Sequence, residues 1–170
     1  MKKLLVVVDM QNDFVTGCLG TKEAQEITGA VAEFVKGFDG GVVFTRDTHG
    51  EDYMNTQEGK KLPVPHCLKG SEGWEIVPEL KGLTEGVKVF DKPTFGSTEL
   101  AEYVKNGNYD EVTLIGVCTG ICVMSNALLI KAFNIEVPVK VIADLCACVT
   151  PDTHQTALDA MATCQVEIIR

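Results

Sequence analysis

Hydrophobic residues gather in short runs along the chain, and each run is rich in β-branched side chains. Several runs are apolar on consecutive positions rather than on every second one, which is typical of strands that are buried on both faces. The runs predict strands at residues 3–9, 41–45, 87–90, 111–117, 137–143 and 166–170.

Apolar residues between these runs recur at the spacing of amphipathic helices. Thr150 and Pro151 are residue types preferred at an N-cap and at the first helical position, so they predict where the last helix begins. The predicted helices span residues 23–38, 98–105, 121–133 and 152–163. Strands that alternate with helices predict an α/β fold with three layers, in which a doubly wound (Rossmann-like), mainly parallel six-stranded sheet lies between helices.

The stretch from residue 47 to residue 81 interrupts this alternation, because it is rich in Gly, Pro, His and charged residues. Long irregular segments inside compact domains usually carry function. The chain has 170 residues, of which 45% are hydrophobic, so we expect a single domain over residues 1–170.

Charge and cysteine content restrict the possible binding partners and the possible cellular compartment. The net charge is -9 and no cluster of Lys and Arg occurs, which argues against nucleic acid and membrane partners. The first apolar run ends at Asp9 and is too short for a signal peptide, and no stretch is long enough to span a bilayer. The 7 cysteines form an odd set without a CxxC pair, which predicts a reduced, cytoplasmic setting.

Reactive side chains follow the predicted strands. In open parallel sheets, ligands bind beyond the carboxyl ends of the strands, near the switch in strand order. Asp9 follows the first strand, Asp47 and His49 follow the second, Lys92 follows the third, and Cys122 lies shortly after the fourth. We therefore expect these side chains to meet at one edge of the sheet.

Cys122 falls at the predicted start of a helix, where free N–H groups and the helix dipole would lower the pKa of a thiol. Lys92 would act in the same direction, and Asp9 could carry the thiol proton to a leaving amine. Spacing alone leaves a simpler alternative open, in which the cysteine fills the core, Asp9 caps a loop and Lys92 is a solvated surface charge.

A second group of polar residues lies within the irregular segment. Asp47-x-His49 is followed by Glu58 and by His66. Two imidazoles and a carboxylate can bind zinc, manganese or iron with positions left open. Two histidines in a loop are also common as surface or packing residues, so spacing alone does not decide between these interpretations.

Four segments give the chain a resemblance to the isochorismatase-like cysteine hydrolases, and within them most closely to the nicotinamidases. In chain order, the segments are VDMQNDF at residues 8–14, TRDTH at 45–49, DKPTF at 91–95 and GVCTGICV at 116–123. They occur in the order of the family, and the resemblance extends over nearly the whole chain.

The resemblance implies an isochorismatase-like hydrolase fold and a catalytic triad of Asp9, Lys92 and Cys122. It also implies a cis peptide between Val117 and Cys118, and an oxyanion hole formed by the backbone N–H groups of Cys118 and Cys122.

Nicotinamidases bind a divalent metal, which holds the pyridine nitrogen of the substrate. The resemblance implies that Asp47, His49 and His66 bind this metal, with Glu58 as a fourth ligand, and zinc is the expected ion. Relatives that act on isochorismate or carbamoyl substrates generally lack this full set.

The resemblance further implies that Phe14, Phe95 and Val117 bind substrate, with the two phenylalanines as walls around a pyridine ring. We interpret Trp74 as core packing. Gly120 departs from the family pattern, which commonly has Asp at this position. A homo-oligomer is expected by analogy with the family.

These observations predict a cysteine-dependent amidohydrolase that converts nicotinamide to nicotinate and ammonia through a thioester. The nearest alternative is a hydrolase of the same family that acts on a carbamoyl, ureido or vinyl-ether substrate. A redox-sensing flavodoxin-like domain with Cys122 as sensor would leave Lys92 unexplained. A nucleotide-binding domain is disfavoured because no glycine-rich loop follows the first strand.

Overall fold

The computed structural model describes all 170 residues, and its centre is one sheet of 6 strands. The strands are β1 (Lys3–Val8), β2 (Gly41–Asp47), β3 (Val89–Lys92), β4 (Glu111–Val117), β5 (Val139–Ala147) and β6 (Glu167–Ile169). Their order is β3-β2-β1-β4-β5-β6, and every neighbouring pair is parallel. The predicted doubly wound α/β fold is therefore confirmed.

Helices connect the strands and cover both faces of the sheet. They are α1 (Asn12–Val15), α2 (Lys22–Gly37), α3 (Gln57–Lys61), α4 (Pro78–Lys81), α5 (Thr98–Gly107), α6 (Met124–Phe133) and α7 (Pro151–Thr163). The sequence did not predict α1, α3 and α4, because helices of 4 or 5 residues are too short to show a periodicity. No helix is both long enough and apolar enough to traverse a bilayer.

Both faces of β1 are buried, as its consecutive apolar residues predicted. Leu4, Val6 and Val8 pack in a core cluster with residues of α5, α6 and α7. Leu5 and Val7 pack in a second cluster with residues of α2 and α4. The helices thus form one layer on each side of the sheet, which gives the predicted three layers.

Side-chain caps fix where the longer helices begin. The hydroxyl oxygen of Thr21 accepts a hydrogen bond from the Ala24 N–H at the start of α2. At the start of α7, Thr150 and Thr153 form a reciprocal capping box, and Pro151 is the first helical residue. The predicted beginning of α7 is therefore confirmed.

The switch in strand order lies between β1 and β4 at the centre of the sheet. The backbones of these strands approach closely where Gly116 pairs with Val8. Gly116 has φ +116°, and an added Cβ at this position would meet the Val8 backbone. Glycine here therefore allows the end of β4 to lie against the end of β1, where the reactive residues emerge.

Candidate active site

Lys92 is the last residue of β3 and is only 1% exposed. Its ammonium lies 2.6 Å from Asp9 Oδ2, 3.4 Å from Cys122 Sγ and 3.4 Å from Asp47 Oδ1. Burial alone would lower the pKa of Lys92, but the neighbouring Asp9 and Cys122 raise it well above its usual value. Lys92 is therefore a buried cation, and the alternative of a solvated surface charge is wrong.

Asp9 follows β1 directly and is completely buried. Its Oδ1 accepts a hydrogen bond of 2.6 Å from the Thr45 hydroxyl. Its Oδ2 has the Lys92 ammonium at 2.6 Å but accepts no hydrogen bond of regular geometry. Burial raises the pKa of Asp9, although Lys92 opposes this effect. The Oδ2 atom retains a lone pair that can accept a proton from a neighbouring group.

Cys122 is 5% exposed and lies beside Asp9 and Lys92. It is the fourth residue of a π-helical turn, Thr119–Val123, that leads directly into α6, so it lies in the first turn of a helix as predicted. Burial raises the pKa of Cys122 well above its ordinary value and Asp9 raises it further, while Lys92 opposes both. The expectation of a lowered thiol pKa was therefore wrong, because burial outweighs the effect of Lys92.

The peptide between Val117 and Cys118 is cis, as the resemblance implied. No main-chain hydrogen bond uses the Cys118 N–H. This donor is therefore available to a ligand atom near Cys122.

Four donor atoms gather beyond the ends of β1 and β2. Asp47 ends β2, His49 follows two residues later, Glu58 lies in α3 and His66 lies in the irregular segment. The four donor atoms all lie within 4.8 Å of one another. Asp47 Oδ2 lies 2.9 Å from the Nε2 atom of His49 and 3.3 Å from that of His66. Glu58 Oε1 lies 3.8 and 3.7 Å from the same two nitrogens.

The chemistry of these donors fits a divalent transition metal. The Nδ1 atom of His66 is 2.8 Å from the Val64 carbonyl oxygen, an arrangement that leaves Nε2 free to bind a metal. Burial would raise the pKa of Asp47, but hydrogen bonds with His49 and His66 hold it well below the usual range. The group is therefore an ionised carboxylate between two imidazoles, with Glu58 at its open side.

A cavity of about 460 Å³ connects the two groups. Its wall includes the side chains of Phe14 and Phe95, the thiol of Cys122, and three of the four potential metal ligands. Apolar residues cover much of the rest, and no Lys or Arg lines it. The cavity therefore suits a small, uncharged, ring-shaped molecule.

Val117 does not line this cavity. Its side chain is 1% exposed and packs in the core cluster that includes α2, because alternate residues of a strand point to opposite faces. The expectation that Val117 contacts substrate is corrected here, and its neighbour Cys118 lines the cavity instead.

Trp74 packs away from the cavity, as interpreted from the sequence. The Arg46 guanidinium lies 3.6 Å from the centre of its ring, and its Nε1 donates to the Thr48 hydroxyl at 2.8 Å. Gly120 lies against α7, where an added Cβ would be 3.1 Å from Ala157 Cβ. Glycine at this position therefore permits close packing of α7.

Sequence reasoning missed several residues that shape the site. The ring of Tyr53 packs 4.8 Å from that of His49 and 5.1 Å from that of His66. Asn126 donates to the Cys122 carbonyl at 2.8 Å and accepts from the Ser97 N–H at 2.9 Å. Tyr53 lies in the irregular segment and Asn126 inside a helix, and no pattern of spacing distinguishes either residue.

The fold and the site together define the class of the protein. The Isochorismatase domain family matches residues 3–170, so the chain belongs to this family.

Three relatives are similar to the chain over nearly the whole length of both proteins. The nicotinamidase/pyrazinamidase of Mycobacterium tuberculosis is 30% identical over 188 residues, covering 98% of this chain and 98% of that protein. The crystal structure of pyrazinamidase/nicotinamidase from Streptococcus mutans has a TM-score of 0.86 and 29% identity, covering 99% of this chain and 100% of that one. The pyrazinamidase of Pyrococcus horikoshii, solved in complex with zinc, has a TM-score of 0.83 and 26% identity, covering 100% of this chain and 99% of that one.

Proposed function

We propose that the protein is a cysteine-dependent amidohydrolase that converts nicotinamide to nicotinate and ammonia. The observation that carries this proposal is the cavity itself, because the Cys122 thiol and the metal donors Asp47, Glu58 and His66 face the same space. A small aromatic amide would fit there with its carboxamide near the thiol and its ring between Phe14 and Phe95. The names of the similar proteins support the same reaction.

In the proposed mechanism, Asp9 Oδ2 takes the proton of Cys122, and the sulfur attacks the carbonyl carbon of the amide. A C–S bond forms while the carbonyl π electrons move to oxygen, which accepts hydrogen bonds from the N–H groups of Cys118 and Cys122. When this intermediate collapses, the C–N bond breaks and ammonia leaves with the proton from Asp9.

The thioester is then hydrolysed in the same site. Asp9 takes a proton from a water molecule, whose oxygen attacks the thioester carbon, and the C–S bond breaks as the carboxylic acid forms. The thiol recovers its proton from Asp9. Lys92, 2.6 Å from Asp9 and 3.4 Å from Cys122, stabilises negative charge on either partner throughout.

Asp47, His49, Glu58 and His66 would hold a divalent metal, with zinc as the ion we propose. When bound, the metal ion would act as a Lewis acid toward a ring nitrogen of the substrate. The zinc complex of a similar pyrazinamidase supports this assignment. The residues that hold the metal ion would also set its distance from the Cys122 thiol.

The second candidate is a family hydrolase for a carbamoyl, ureido or vinyl-ether substrate. A substrate of this kind that carried a carboxylate would need a cationic partner in the cavity. The lining of the cavity contains no Lys or Arg, which favours an uncharged amide. A redox sensor is disfavoured because burial raises the pKa of Cys122 and so suppresses its reactive thiolate form.

We further propose that the whole chain acts as one domain and that the enzyme is cytoplasmic. The match to the family over residues 3–170 supports the first point, and 7 free cysteines support the second. A homo-oligomer without nucleic-acid or membrane partners remains our expectation.

The test is ammonia release from nicotinamide by the purified protein, with metal content measured on the same sample. Cys122→Ala should release none, whereas the matched variant Cys164→Ala, at an exposed cysteine, should match the wild type. Release from a ureido compound but not from nicotinamide would replace this proposal with the second candidate.

A further inference from the structure

Gln11, just before α1, and Asp13, within α1, are two polar side chains that the proposed mechanism does not use. Gln11 is completely buried, and Asp13 is partly buried. Both reach across to the backbone of segments that carry the metal donors. A buried amide without hydrogen-bond partners would destabilise the fold, so the partners of Gln11 indicate what its side chain does.

The side chain of Gln11 forms hydrogen bonds with both the N–H and the carbonyl group of Asp47. Its Oε1 accepts from the Asp47 N–H at 2.7 Å, and its Nε2 donates to the Asp47 carbonyl at 2.9 Å. The same Nε2 donates to the Trp74 carbonyl at 2.9 Å. Every amide hydrogen and one oxygen lone pair of Gln11 are thus used, and the peptide planes flanking Asp47 are fixed.

Asp13 holds the second segment through Cys67, the neighbour of His66. Its Oδ2 accepts from the Cys67 N–H at 2.8 Å. Cys67 has φ +46°, an uncommon conformation for a residue with a side chain. The Cys67 carbonyl in turn accepts from the His49 N–H at 3.0 Å. Asp13 therefore acts on the backbone of both histidines through a single residue.

The chain makes room for the Asp13 carboxylate. Residues 17 and 73 are both glycine, and a Cβ at either position would collide with Asp13. The Asp13 N–H also donates to the Gly73 carbonyl at 3.0 Å. The carboxylate is thus enclosed in a fixed place rather than lying free on the surface.

From these contacts we infer that Gln11 and Asp13 are positioning residues of the metal site, which pre-organise Asp47, His49 and His66 before a metal binds. The inference rests on the metal site proposed above. Groups that orient metal ligands in this way typically contribute about 10- to 100-fold to metal affinity. The turn that begins at the proposed catalytic Asp9 would then also set the geometry of the metal donors.

The experiment measures the zinc affinity of the purified full chain by competition with a chromophoric chelator. Gln11→Met keeps the length of the side chain but removes all three hydrogen bonds, and Asp13→Ala removes the acceptor for Cys67. Each should weaken zinc binding by about 10-fold or more. Asp13→Asn retains an oxygen acceptor and should restore affinity to near that of the wild type.

Asn12→Ala is the matched control, because Asn12 lies between the two residues but donates to the Glu72 carbonyl at 2.8 Å. Its zinc affinity should stay within about 2-fold of the wild type. Gln11→Glu, which keeps one acceptor, replaces Gln11→Met if that variant does not fold, and the same weakening is expected of it.

A purely structural role would lower the unfolding midpoint of these variants while the folded protein kept its zinc affinity. Wild-type affinity in folded Gln11→Met, or Gln11→Glu in its place, and in Asp13→Ala would therefore overturn the inference. If the wild type bound no zinc, the proposed metal site would itself be wrong and the inference would fall with it. Amide hydrolysis by the wild type is measured in a separate assay, so failure of this inference can be distinguished from failure of the proposed function.

Discussion

Asp47 and Lys92 join the two halves of the site, because Asp47 Oδ1 lies 3.4 Å from Lys92 Nζ while Asp47 Oδ2 faces His49 and His66. One carboxylate therefore contacts both the cation beside the thiol and the group of metal donors. Its two oxygen atoms divide these tasks.

Replacing Lys92 by Met should both abolish amide hydrolysis and destabilise the fold. The substitution leaves Asp9 and Asp47 as buried carboxylates without their shared cation. Breaking a buried ion pair in this way costs about 3 to 5 kcal/mol. Urea unfolding followed by circular dichroism measures the loss.

The matched control is Lys88→Met, because Lys88 pairs with Glu99 at an exposed position. Exposed ion pairs contribute less than about 1 kcal/mol, so this variant should unfold close to the wild type. Equal unfolding free energies for the two variants would contradict the role of Lys92 as a buried counter-ion.

Cys122→Ala should lose turnover by more than about 10³-fold, since the covalent step cannot form. It should nevertheless bind zinc with the wild-type stoichiometry, because the metal donors lie at the end of β2, in the loop after it, in α3 and in the segment that follows α3. Elemental analysis of dialysed protein measures the metal. Loss of metal from this variant would contradict the separation of the nucleophile from the metal donors.

Removal of the metal should lower hydrolysis of the ring amide but leave the Cys122 thiol accessible to a small alkylating reagent. Chelation followed by dialysis prepares the metal-free protein, and added zinc should restore its activity. His66→Ala should mimic chelation and should not respond to added zinc. His154→Ala is the control, because His154 contacts Thr119 rather than the metal donors. Full activity of the chelated protein would contradict a role for the metal in binding substrate.

Gly116→Ala should destabilise the protein by about 3 kcal/mol or more, because a side chain there combines a strained backbone with a collision against Val8. Gly29→Ala should instead increase the free energy of unfolding. Gly29 is exposed within α2 with no atom near a potential Cβ, and alanine should stabilise the helix by about 1 kcal/mol. Denaturant titration of the two variants and the wild type gives both values.

Much of this architecture could be predicted because a parallel sheet places the ends of its strands together. Asp9, Asp47 and Lys92 each end or directly follow a strand, so their convergence follows from topology alone. The cap of α7 could likewise be read from Thr150 and Pro151, whose chemistry is local.

The predictions that failed, and the residues that were missed, concern features set by packing between residues distant in sequence. The pKa of Cys122 was predicted from a helix start, but burial dominates, and burial is set by residues distant in sequence. Val117 was expected to bind substrate from the family resemblance, yet strand alternation turns its side chain to the core. Tyr53 and Gln11 act through contacts with residues far along the chain, which no spacing rule reveals.

The short helix α3 has a consequence for how metal enters and leaves the protein. Asp47 is anchored to the sheet, and both histidines lie on backbone tied to Cys67, whereas Glu58 comes from a helix of 5 residues with a side chain 21% exposed. Segments with little buried surface open by local unfolding far more often than a central sheet does. We therefore expect the amides of residues 53–62 to exchange with deuterium well before those of β1 and β4. A bound ion would then leave when residues 53–62 unfold locally, while the strands of the sheet stay paired.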